Sequence, residues 1–323
     1  MADQTTSDKS PEAILRELDG IRMGGDRSAT PLMCFAMFEH LYFRGGGEAE
    51  LRARLLEAAA GFLAQNGEAV THYFSEKTGN EAPIAGKDPV ALFQARLAAG
   101  GFDGDDMSFG AFSKEVAPVD LLIHAKRSQK LPSAYSQARP IAAMLEDPDA
   151  FVADVVARAA QLRPEQGTVS VNPHRLFGGI AGYPKLYWPL VARFPGLGFP
   201  HLIRSAAVER KIIQANWLTI LDDGYVEALG GDAALAELEA KGITLHRYEG
   251  GVVLQAGPIP ELGDINAGVW PRGLAHVYAY IAPAQARDAP TKPNQAIKVP
   301  EPLDPLEETR KWLTRFDRMP EVH

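Results

Sequence analysis

The sequence predicts an α+β protein, a mainly antiparallel sheet with flanking amphipathic helices, arranged as two similar halves. Three observations carry that expectation. The runs ITLHRY and VVLQ are joined across Glu249-Gly250-Gly251, a tight hairpin signal, and hairpins join antiparallel strands. Several segments repeat apolar residues at three- and four-residue intervals, as one face of a helix does. A strand-like run near Leu32 followed by an amphipathic helix echoes the strand and helices near Trp217, although no fixed-period repeat is visible.

Taken in order, residues 1–10 read as a disordered lead-in and residues 11–18 as a short helix. Residues 32–43 are aromatic and apolar without helical spacing and end at Gly45-Gly46-Gly47, which reads as a largely buried strand. Leu51, Leu55, Ala58 and Phe62 then mark a helix. Asp88-Pro89, Asp147-Pro148 and Asp304-Pro305 each place a capping carboxylate before a proline at the first helical position. Glu307, three residues after Asp304, makes an Asp-x-x-Glu variant of the capping box. The stripes that follow (Val90, Phe93, Leu97; Phe151, Val155, Leu162; Leu306, Leu313, Phe316) read as core-facing surfaces. Val119, Leu121 and Ile123 alternate with Asp120 and His124, and Val169 and Val171 alternate likewise, as strand residues do. NWLTIL reads as a buried strand, with Asp222 or Asp223 capping the helix after it. Asp232 is expected to cap the next helix, which Gly242 closes. The expected organisation is a globular domain over residues 11–281 and an extended Pro-rich arm over 282–303. A C-terminal helix within 304–323 should dock back, because its apolar stripe would otherwise be exposed.

The 323 residues suffice for a large core, and 46% hydrophobic with 23% charged residues is ordinary for a folded soluble chain. A net charge of −8 argues against a nucleic-acid or anionic-membrane surface and is compatible with a basic partner. The sole cysteine, Cys34, lies in the apolar run PLMCFAMF, so no intramolecular disulfide is possible and a reducing compartment fits. The polar start has no apolar signal region, and no run of about 18 apolar residues exists for a membrane span. A cytoplasmic protein is expected.

Catalytic motifs fail one by one. FPGLGFPH has His201 where a dinucleotide fingerprint needs its third glycine. Between Gly79 and Gly86-Lys87-Asp88 the spacing is too long for a phosphate loop, and Asp88 replaces the magnesium-binding hydroxyl. The eight histidines form no zinc-ligand spacing, and His124 and His246 read as structural strand residues. Asp103, Asp105 and Asp106 lack calcium-loop spacing and read as a solvated turn. Asp222 and Asp223 fit a helix start, where the macrodipole favours negative charge. Glu261, Asp264 and Asn266 share a loop of glycine and proline that reads as a rigid contact platform or a plain connection. No catalytic, cofactor-binding or metal-ligating residue is therefore assigned.

Four phrases resemble the type VI secretion system immunity protein family: LYFRGG at residues 41–46, NWLTILDD at 216–223, ITLHRYEGGVVLQAGPIPELGDIN at 243–266 and WLTRFD at 312–317. The middle stretch SVNPHRLFGGIAGYPKLYWPLVARFPGLGF meets the family pattern loosely, and residues 75–120 meet nothing recognisable. The resemblance implies a non-enzymatic protein that binds and neutralises a cognate effector, a nuclease among the options, by occluding its active site. It implies no cofactor, no nucleic acid and no membrane, and leaves the oligomeric state open. An acidic inhibitor would gain steering towards a basic nuclease groove. On that reading Asp222, Asp223, Glu261, Asp264 and Asn266 are the candidate partner-binding residues. Two other readings stand beside it: a hydrolase with an unrecognised active site, and an adaptor or chaperone that loads an effector for export.

Overall fold

Strand β1 (Met33–Phe43) is buried at all eleven positions, because it has a strand on each side and cover on both faces. The protein is described by a computed structural model over residues 9–24, 33–44, 48–75, 80–84, 86, 88, 90–92, 95, 106–113, 118–126, 132–175, 184–199, 210–212, 214–287 and 296–319. One neighbour of β1 is β6 (Ser133–Arg139), with Met37 opposite Arg139; the other is β7 (Gln166–Arg175), with Met37 opposite Val171.

The remaining strands are β2 (His72–Ser75), β3 (Asn80–Pro83), β4 (Asp106–Phe112), β5 (Asp120–Lys126), β8 (Leu218–Asp222), β9 (Thr244–Tyr248) and β10 (Gly251–Gln255). They form one ten-stranded sheet in the order β3-β2-β4-β5-β6-β1-β7-β8-β10-β9. Each pairing is antiparallel. The fold is α+β, as expected. Strand β1 with helix α2 (Ala49–Asn66) leads to a hairpin at one sheet edge, and β8 with its helices leads to a hairpin at the other.

Helices cover the faces. Among the described residues they are α1 (Pro11–Gly20), α3 (Ile141–Glu146), α4 (Pro148–Leu162), α5 (Pro184–Arg193), α6 (Asp223–Ala228), α7 (Gly231–Ala240), α8 (Arg272–Ile281) and α9 (Pro305–Leu313), besides α2. Successive residues of β10 serve opposite faces, as the pleat dictates. Val253 enters the main core with β1, α2 and α4, whereas Val252 and Leu254 join α6, α7 and α8 in a second cluster. A buried ion network ties α4 to the sheet centre: Arg158 donates to Glu39 at 2.9 Å and to Asp154 at 2.9 Å, and Gln137 donates to Glu39 at 2.7 Å. Glu39 is 2% exposed, so without these donors its charge would be strongly destabilising.

The local signals behave physically. Asp147 accepts from the Ala150 amide at 2.9 Å, Asp88 from Val90 at 2.9 Å, and Asp304 from both Leu306 and Glu307. Glu307 pairs forward with Lys311 at 2.8 Å, taking the carboxylate that a capping box would direct back to Asp304. Asp232 is not a cap. Helix α7 starts two residues earlier than an Asp232 cap would place it, after Gly230 at φ 106°, and Asp232 in its first turn pairs with Arg247. Gly242 does close it: with φ 85° it donates to the Glu239 carbonyl while Ile243 donates to Leu238, a Schellman motif.

Strands β2, β3, β4 and β6 lie where the sequence shows no strand signal. Phe93, Leu97, Asp103, Asp105, Gly79, Lys87, His201 and residues 1–8 lie outside the described residues, as does much of the 282–303 arm. Within that arm Gln285 bridges to Ile212, and the buried Ile297 amide donates to Thr309 of α9. Trp312 and Leu313 of α9 are buried in the main core.

Candidate partner-binding surface

The candidate carboxylates fall in two places. Asp222 ends β8 opposite Gly251, while Leu218 pairs with Gln255 at the other end, where the 257–264 loop begins. Four residue steps separate these ends, about 13 Å at roughly 3.3 Å per residue. A single acidic patch is therefore not formed.

At the first place, Asp222 is occupied. Its Oδ1 accepts from the Tyr225 amide at 2.7 Å, capping α6, and its Oδ2 faces Arg210 at 3.6 Å. Asp223 is exposed in the first turn of α6 and forms no ion pair among the described residues.

The second place is a clamped loop. Arg193, at the end of α5, donates from Nε to both Asp264 oxygens at 3.0 Å and from Nη2 to Oδ2 at 2.5 Å. This guanidinium holds the Asp264 carboxyl below the usual carboxylate range. Asp264 is 9% exposed and its Oδ1 also accepts from the Asn266 amide at 3.0 Å. It is thus a fastener, not a free contact. Asp264 and Val269 exchange backbone hydrogen bonds at 2.8 and 3.0 Å, pinching residues 265–268 into a short 3₁₀ turn. Gly268 at φ 70° supplies the left-handed residue that closes it.

The foot of the loop is held from two further directions. The Gly196 amide donates to the Leu262 carbonyl at 2.8 Å, and a Cβ at Gly196 would stand 2.3 Å from the Glu261 carbonyl oxygen. The buried Arg315, stacked on Trp312 at 3.9 Å, donates to the Pro195 carbonyl at 2.7 Å. The WLTRFD phrase therefore braces the loop through residues 195–196. Trp217 donates from its indole to the Gly257 carbonyl at 2.9 Å, so NWLTILDD fixes where the loop leaves the sheet. Glu261 is half-buried, and burial raises its proton affinity above the ordinary value. Asn266 is fully in the exposed stretch.

A concavity of about 620 Å³ lies along α8, lined among others by Arg272, His276, Tyr278, Arg287 and Asp317. Three of its polar groups engage one another: Tyr278 donates to Asp317 at 2.9 Å, and Arg287 pairs with Asp317. Burial, followed by Lys241 and Arg272, disfavours the charged form of His276. Among the described residues that line it, no serine, threonine or cysteine stands to form a nucleophile–base pair. Among the described residues no group of three or more His, Cys, Asp or Glu could hold a metal ion, and no helix is long and apolar enough to cross a membrane. Cys34 is buried, which pushes its thiol up to about 12.

The family model described as TsiV, type VI immunity for VRR-NUC, matches residues 126–316, more than half of the chain. The chain belongs to this family. The TsiV match contains both candidate places and the phrases at 216–223 and 243–266; it covers the α8 concavity except Asp317 and Met319, and LYFRGG at 41–46 lies outside it. No curated protein matches the chain. Among solved structures, the Pseudomonas aeruginosa T6SS protein PA0821 is similar, with a TM-score of 0.75 and 18% identity over 95% of this chain and 91% of that one. At that identity the likeness concerns the fold.

Proposed function

We propose that this protein binds one cognate VRR-NUC-type nuclease effector and neutralises it by occluding its active site, as a stoichiometric inhibitor without turnover. The family match over residues 126–316 carries this reading. The net charge of −8 supports it, since a nuclease groove that binds phosphates is basic and attracts an acidic inhibitor. The compartment follows from the target: the inhibitor works where the nucleic acid is, the cytoplasm. Of the five candidate residues, Asp223, Glu261 and Asn266 are available to a partner, while Asp222 and Asp264 support the backbone that presents them.

Co-expression with a nuclease effector of the VRR-NUC class, sought first beside this protein's gene, tests this. Survival should require the protein, and the purified pair should form a defined complex whose nuclease activity titrates to zero at one equivalent. Inactivation of many equivalents of effector by one of this protein would instead identify an enzyme. Effector export that depends on the protein without any rescue would identify an adaptor.

A further inference from the structure

Ile265 and Val269 are 42% and 51% exposed, and with Leu303 they are the large apolar side chains that stand open to solvent among the described residues. Both sit on the turn clamped by Arg193 and Asp264. Residues 265–271, INAGVWP, carry no charge in a chain that is 23% charged. Exposed apolar groups on a mobile loop are commonplace, but here every anchoring element is spent on holding them out. The Asp264–Val269 backbone pair, the Arg193 clamp, Gly268 and the Gly196–Leu262 hydrogen bond leave the tip little conformational freedom to lose. A rigid apolar protrusion binds at low entropic cost, and charge is depleted at the centre of protein interfaces. Trp270, half-buried and edge-on to Phe316 at 6.3 Å, extends the uncharged surface into the second core cluster.

We propose that the turn at residues 265–269 is the apolar anchor of the inhibitory complex, inserting Ile265 and Val269 into an uncharged pocket on the effector. This rests on the immunity reading and adds the surface to it. Glu261, half-buried at the foot of the turn and without an ion pair among the described residues, is left available to a basic rim around that pocket. Charge complementarity thus acts beside the tip and apolar burial at it.

The test measures binding of the full chain to the purified, catalytically inactivated nuclease effector identified by that rescue. I265D and V269D should each weaken Kd by about 30-fold or more, mainly through faster dissociation. L303D, an equally exposed change elsewhere, should stay within about threefold. Thermal midpoints near that of the natural protein show that the turn variants fold. If the natural protein binds and I265D and V269D bind as it does, the anchor assignment is overturned while immunity stands. If the natural protein forms no complex, the immunity reading itself falls.

Discussion

Asp264 shows why a residue type in a loop does not reveal its role. Sequence reading marks it as a contact, but its partner Arg193 is 71 positions away and nothing local announces it. Replacing Asp264 with Ala removes a cap and a clamp together, and should cost about 1–2 kcal/mol in urea unfolding and weaken effector binding without removing any contact. The network around Glu39 was equally invisible, because its members lie on β1, β6 and α4. Arg158→Met should destabilise by about 3–5 kcal/mol, since it leaves Glu39 buried and unpaired; adding Glu39→Met should recover much of that loss. His174 is buried, and burial holds its imidazole down at about 4. The unfolded chain therefore takes up a proton that the fold refuses, so stability is full above about pH 6.5 and falls as pH drops from there towards 4. Equilibrium unfolding across that window should show H174Q with a shallower slope, by up to about 1.4 kcal/mol per pH unit.

At the scale of elements, signals written in neighbouring residues were legible. Asp-Pro caps, the Glu249-Gly250 turn and the Gly242 stop all act within a few residues, so the sequence contains the whole interaction. Gly242→Ala forces a Cβ into a left-handed residue and should cost about 1 kcal/mol by urea titration. Asp232 failed as a cap because two glycines before it let the helix start earlier. Strand β6, SAYSQAR, was missed for a different reason. Its Ser136 and Gln137 are buried by pairing with His40 and Glu39 of β1, so its polar letters hide a core strand.

For the whole molecule, antiparallel pairing could be read from one hairpin, but strand order could not, because it depends on contacts between distant segments. The proposed anchor follows the same rule: the sequence draws attention to the 257–264 loop, while the open Ile265 and Val269 are recognisable only once exposure is known. The charge of −8 is a whole-molecule property with a kinetic signature. Raising sodium chloride from about 50 to 500 mM should slow association with the effector by tenfold or more in stopped-flow, with little change in dissociation. The central position of β1 has a consequence during synthesis. The strand made first waits for partners that begin at Ser133 and end at Arg175. At about 5–20 residues per second, an eleven-residue apolar segment spends several seconds to tens of seconds unpaired outside the ribosome. A nascent chain stopped before β6 should be held by chaperones and cleaved readily by protease, and protection should come abruptly once β7 has emerged. On the inhibitor reading, a cell that makes toxin and inhibitor together is defended only after that point in translation.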